Sequence, residues 1–194
     1  MPMKRGVSQK TKALTLCAVL SAMGVALLAV GALIEALDLS VAALASFFCI
    51  FAVIELGGIY PWMIFAVTGT LSVILMPYSA GGWFYLLFFG FYPILKEKLE
   101  RLRKPIAYLF KLLIFNAAVF LGTLVTLLLF YGGGEGKTLF DAFIFFFGGE
   151  DTGIYLALGT YLLSNAVFVL YDFALTRIIT FYFIKIRPRI KKFI

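Results

Sequence analysis

Between Lys12 and Lys96 the chain has no Lys, Arg or His, and those 83 residues carry only Glu35, Asp38 and Glu55 as charges. Such an interval has too few polar positions to cover a wet surface. It is also several times the ~20 apolar residues that cross a bilayer once as a helix. Breaks within it delimit the elements. Glu35 and Asp38 mark a short acidic turn, Gly57-Gly58-Ile59-Tyr60-Pro61 a second, and Pro77 with Gly81 and Gly82 a third. Gly and Pro interrupt helices for steric reasons. The pattern predicts helices over 13–34, 39–56, 61–77 and 82–95, the last short and aromatic.

A basic segment, 96–104, follows with helical charge spacing. Pro105 suits the first turn of a fifth helix over 105–131. A Gly-rich loop, 132–153, holds Glu135, Asp141, Glu150 and Asp151 against Lys137 alone, and its aromatic piece 139–147 suits the membrane interface. A sixth helix is predicted over 154–184. If 96–104 and both termini face the cytoplasm, 16 of the 17 basic residues fall on or near that side, as membrane proteins prefer. The fold class is therefore all-α: a polytopic integral membrane protein, a six-transmembrane-helix bundle in one transmembrane domain over 1–194. The run that follows Lys10 and Lys12 is longer than a signal-peptide core and reads as a retained helix.

Composition sharpens this picture. The chain has 194 residues, 63% of them hydrophobic, and a mean hydropathy of +1.03. The net charge of +7 reports membrane orientation rather than a nucleic-acid partner. The lack of His removes the commonest general base and metal ligand, and no second acid shares a plausible face with Asp172 for carboxylate catalysis, so no metal, cofactor or catalytic activity is expected. Cys17 and Cys49 stand singly in apolar runs and form no metal-binding pattern. Gly134-Glu135-Gly136-Lys137-Thr138 resembles the end of a phosphate-binding loop. However, Tyr131 stands where its first glycine belongs and no strand precedes it.

Three groups of residues are candidates for function. Ala18, Ala22 and Ala26 recur every four residues, and small side chains let another backbone approach closely in lipid. The plain structural alternative is packing within the bundle. Asn116 and Asp172 are intramembrane polar residues at similar depth that could satisfy each other, with Asn165 on the same helical face as Asp172 and with Lys111 and Arg177 nearer the cytoplasm. On the outer side, Glu35, Asp38, Tyr78, Trp83, Tyr85 and Tyr155, with Asn165 deeper, could line a substrate cavity with aromatic walls. Aromatic residues at that depth also form ordinary interfacial belts.

Six helices in under 200 residues, basic residues before Thr11-Lys12-Ala13-Leu14-Thr15-Leu16, and the alanine stripe behind them resemble the substrate-binding S components of energy-coupling factor (ECF) transporters. The resemblance implies vitamin uptake across a bacterial plasma membrane. Ala18, Ala22 and Ala26 would dock a transmembrane scaffold that carries ATPase subunits, and a small-molecule ligand would sit beneath the external loops. Lacking His, the chain departs from the nickel and cobalt versions. The contrasting expectation is a non-transport scaffold for cell-envelope or cell-shape assembly, with polar groups paired internally and no ligand cavity.

Overall fold

A computed structural model describes residues 7–34, 37–130, 138–148 and 153–186. These residues form helices and turns, with no strand among them. The helices are α1 (Val7–Leu33), α2 (Asp38–Glu55), α3 (Tyr60–Leu75), α4 (Ala80–Phe84), α5 (Tyr92–Leu99), α6 (Lys104–Phe130), α7 (Leu139–Gly148) and α8 (Ile154–Phe181). Two π-helical turns, Tyr85–Phe89 and Tyr182–Ile186, follow α4 and α8. Among the described residues, four stretches are long and apolar enough to cross a membrane: Lys10–Leu33, Asp38–Glu55, Lys104–Leu128 and Ile154–Lys185. The expected third crossing is shorter. Sixteen residues of α3 span ~24 Å, against ~30 Å of hydrocarbon core.

The local causes of these elements are visible in the sequence. Gly57 and Gly58 both adopt φ +61°, a left-handed conformation that joins α2 to α3 and that side chains disfavour. Pro61 then occupies the first turn of α3, where no amide hydrogen is needed. The expected fourth helix, 82–95, is instead a jointed run. It begins at Ala80, widens at Tyr85–Phe89, turns at Gly90 and Phe91, and restarts as α5 at Tyr92 with Pro93 in the first turn. A Cβ on Gly90 would stand 2.6 Å from Phe65 and 2.8 Å from Tyr85, so the joint needs glycine. Part of the basic segment is helical, because α5 continues through Lys96 and Lys98 to Leu99.

The contacts group the chain into two compact units, Met1–Ile114 and Phe115–Ile194. In the first, α1 packs against both α2 and α3. One apolar cluster contains Cys17, Leu20, Cys49, Ala52, Ile64 and Ile94. A second contains Leu28, Ala42, Ala45 and Tyr85. Both cysteines are buried free thiols. Close approach depends on small residues: a Cβ on Gly24 would stand 2.9 Å from Thr68 Cγ2, and one on Gly31 2.9 Å from Val41 Cβ.

In the second unit, α7 packs on α8. Thr138 and Asp141 cap α7 reciprocally: the Thr138 amide donates to Asp141 Oδ2 at 2.8 Å, and the Asp141 amide donates to Thr138 Oγ1 at 3.3 Å. This helix occupies the aromatic piece read as interfacial. Phe115 stacks on Phe168 at 4.7 Å between centroids.

The α1–α3 contact yields a direct test. Gly24→Val should lower stability by about 1–3 kcal/mol, since overpacking forces neighbours apart. Thermal unfolding in detergent should show a lower midpoint. Gly159→Ala, which would add a methyl group where nothing lies within 4 Å, should not.

Candidate functional site

α1 carries two small-residue faces, and they do different work. The inward face presents Cys17, Ser21, Gly24, Leu28 and Gly31, all buried. Thr68 Oγ1 donates to the Ser21 carbonyl at 3.5 Å across α1 and α3. This face performs the internal packing that the alanine stripe would otherwise have explained. Ala18, Ala22 and Ala26 are all exposed, and so are Thr11 and Thr15 one and two turns before them. At spacings of four, three, four and four, these five residues form one narrow ridge of small side chains. Beside its N-terminal end, Thr11, Lys12, Thr15, Leu16 and Val19 line an open groove of about 530 Å³. The groove lies at the end of α1 away from the acidic turn, where the substrate cavity was expected.

Around that turn, the candidate ligand residues separate. Asp38 is 6% exposed at the start of α2. Its carboxylate accepts from Ser79 Oγ at 3.0 and 3.1 Å and from the Gly81 amide at 2.8 Å. Ser79 Oγ in turn accepts from the Gly82 amide at 3.1 Å as the N-cap of α4. A Cβ on Gly81 would fall 2.2 Å from Asp38 Oδ1, so this latch closes only over glycine. Asp38 therefore ties α2 to α4. Trp83 Nε1 donates to the Pro77 carbonyl at 2.7 Å. Tyr85 is fully buried beside Leu28, Ala42 and Ala45, whereas Tyr78 is 77% exposed. These three aromatics therefore face three environments rather than one wall. Glu35 lies outside the described residues, as do Tyr131, Glu135, Lys137, Glu150 and Asp151 of the loop, and Arg187, Arg189, Lys191 and Lys192 of the tail.

The second unit brings Asn116 and Asn165 together. Asn116 Nδ2 donates to Asn165 Oδ1 at 3.1 Å, and Asn165 Nδ2 donates to the Tyr161 carbonyl at 3.0 Å. Tyr161 Oη donates to Asn116 Oδ1. Phe143 and Phe147 meet the Tyr161 ring edge-on at 5.8 and 5.6 Å. Asp172 is buried on the same face of α8, two turns beyond Asn165, and Arg177 lies over the Phe173 ring at 4.9 Å. Tyr155, at the start of α8, is 88% exposed.

Some of these partners carry a local signal in the sequence. Tyr161 stands four residues before Asn165, a spacing that places both on one helical face. Ser79 immediately precedes an apolar run, the usual position of a helix cap. The least expected group is Lys96, only 1% exposed, whose Nζ lies 3.2 Å from Glu100 Oε1. Lys111, also buried, reaches the same oxygen at 3.8 Å. The i,i+4 spacing of Lys96 and Glu100 signals the pair but not its burial.

No family model, curated protein or solved structure matches the chain. What is established is the class: an all-helical chain with several helices long and apolar enough to cross a membrane.

The latch makes a prediction that separates capping from ligand recognition. Asp38→Ala leaves the Ser79 hydroxyl and Gly81 amide without this acceptor, and should cost about 1–3 kcal/mol. Asp38→Asn, which keeps an acceptor oxygen, should cost less. A lower unfolding midpoint in ligand-free detergent is expected. An unchanged midpoint for Asp38→Ala would return Asp38 to the list of ligand-reading residues.

Proposed function

We propose that this chain is the membrane-embedded substrate-capture component of an ATP-driven transporter that takes up a small, vitamin-like molecule. In this proposal it crosses a bacterial plasma membrane six times with both termini in the cytoplasm. α3 and the jointed α4–α5 run supply the two shorter crossings, and partner subunits supply ATP hydrolysis. The observation that carries the reading is the outward position of Ala18, Ala22 and Ala26. The inward face of the same helix already provides its packing. The alanine ridge is thus available to a second helix, and small residues favour close approach in lipid.

A second reading has its own support. A scaffold for cell-envelope or cell-shape assembly needs no ligand, and its polar groups pair internally. Asp38 with Ser79 and Gly81, and Asn116 with Asn165 and Tyr161, follow that pattern.

Co-purification distinguishes the two. Tagged protein would be expressed in a bacterium that carries an ECF module, extracted in mild detergent, and analysed for partners by mass spectrometry. The transporter reading expects stoichiometric ATPases and their transmembrane scaffold, lost on Ala22→Leu while the variant still elutes as a folded species. Envelope-synthesis proteins in their place would support the scaffold. An Ala22→Leu variant that unfolds would place the ridge in an internal contact and remove the basis of the docking argument.

A further inference from the structure

The C-terminal third of α8 and the π-helical turn that follows it carry an arrangement that neither reading uses. Arg177 lies over Phe173 at 4.9 Å from the ring centroid, and Lys185 over Phe181 at 5.4 Å. Each cation stands four residues after its ring, and all four side chains are exposed. A ring face beneath a cation attracts it electrostatically and restricts a long side chain that would otherwise sample many rotamers. Asp172, the one acidic residue of α8, is buried. It is five positions from Arg177, about 140° round the helix at 3.6 residues per turn. Two ring-backed cations therefore face outward on a surface of α8 that carries no carboxylate of its own.

Helix length places them in the membrane. The apolar stretch Ile154–Lys185 has 32 residues. At 1.5 Å per residue that is ~48 Å, against ~30 Å of hydrocarbon and ~40–45 Å with headgroups. Counted from the exposed Tyr155 end, Arg177 comes ~35 Å along and Lys185 ~46 Å along. With the Tyr155 end at one edge of the hydrocarbon, Arg177 lies ~5 Å beyond the other edge, at the depth of lipid phosphates, with the exposed Phe173 ring towards the acyl chains, and Lys185 lies ~12 Å further towards water. We propose that this surface binds the headgroup of an anionic phospholipid. The planar Arg177 guanidinium would take the phosphate through paired hydrogen bonds, and Lys185 would add a weaker, longer-range attraction from its water side. The site serves a transporter component and a scaffold alike.

Native mass spectrometry of the full-length protein in detergent, titrated with phosphatidylglycerol or phosphatidylcholine, tests it. The wild type should retain phosphatidylglycerol preferentially. Arg177→Gln/Lys185→Gln should weaken the first bound phosphatidylglycerol at least roughly fivefold, the value of one basic residue at a membrane surface, with Arg177 supplying most of the loss. Lys191→Gln/Lys192→Gln should leave that first site intact, and Phe173→Leu should weaken it severalfold. If the double variant at Arg177 and Lys185 does not remain monodisperse, Arg177→Gln alone should show the fivefold loss. Equal retention of the two lipids overturns the proposal. So does selective retention that survives loss of Arg177 and Lys185, or that vanishes only with Lys191 and Lys192.

Discussion

Hydrocarbon offers no water to a polar group, and the rest of this structure is arranged around that constraint. Every hydrogen-bonding atom brought to membrane depth must find its partner in the protein or incur a cost of several kcal/mol. The chain meets the demand with few polar residues. Thr123 and Thr126 return their hydroxyls to carbonyls one turn back in α6, and Thr176 and Thr180 do so in α8. Asn116, Tyr161 and Asn165 bond one another. Where a charge is buried, as at Lys96 and Lys111, Glu100 stands beside both ammonium groups. A lone buried ammonium would be much more costly than this pairing.

The same constraint explains why α1 uses small residues twice. Lipid tails are as apolar as leucine, so helices in a bilayer gain little from hiding apolar surface and depend on close packing instead. Gly24 and Gly31 bring α1 to within van der Waals contact of Thr68 and Val41, and a methyl group at either position would already crowd its neighbour. Close packing also brings the Thr68 hydroxyl to a carbonyl of α1. At the other end of the unit, Asp38 does by hydrogen bonding what Gly24 does by contact: it holds α4 against α2 and requires glycine at position 81.

The helices were legible because their punctuation is chemical. Gly57, Gly58, Pro61 and Pro105 stand where the backbone turns or a helix opens, and each acts through its own φ preference. Contacts between distant positions were not legible. Nothing near Asp38 in sequence announces Ser79, 41 residues on. Nor does periodicity decide which small face of α1 turns inward, since Ala18, Ala22 and Ala26 repeat as regularly as Cys17, Ser21 and Gly24. The choice rests on what α2 and α3 present, namely Val41 and Thr68. The π-helical turn at Tyr85–Phe89 was equally hidden, because a wider turn keeps the same apolar composition as the helix it interrupts. α7 was hidden for a different reason: its aromatic run fits an interfacial segment as well as a helix, and only the Thr138–Asp141 cap separates them.

The two functional readings weigh these features unequally. Internal pairing of Asp38, Asn116 and Asn165 is required of any stable bundle in lipid, so it adds little that is specific to a scaffold. An exposed ridge of alanines is not required by stability. A lipid-facing position tolerates leucine or phenylalanine at no packing cost, and neighbouring exposed positions of α1 do carry Leu14, Val19, Met23 and Val30. Small side chains along the outward line of Ala18, Ala22 and Ala26 therefore give up lipid contact without any gain inside the protein. A second helix that approaches closely would recover that loss, which favours the docking subunit over the self-contained scaffold.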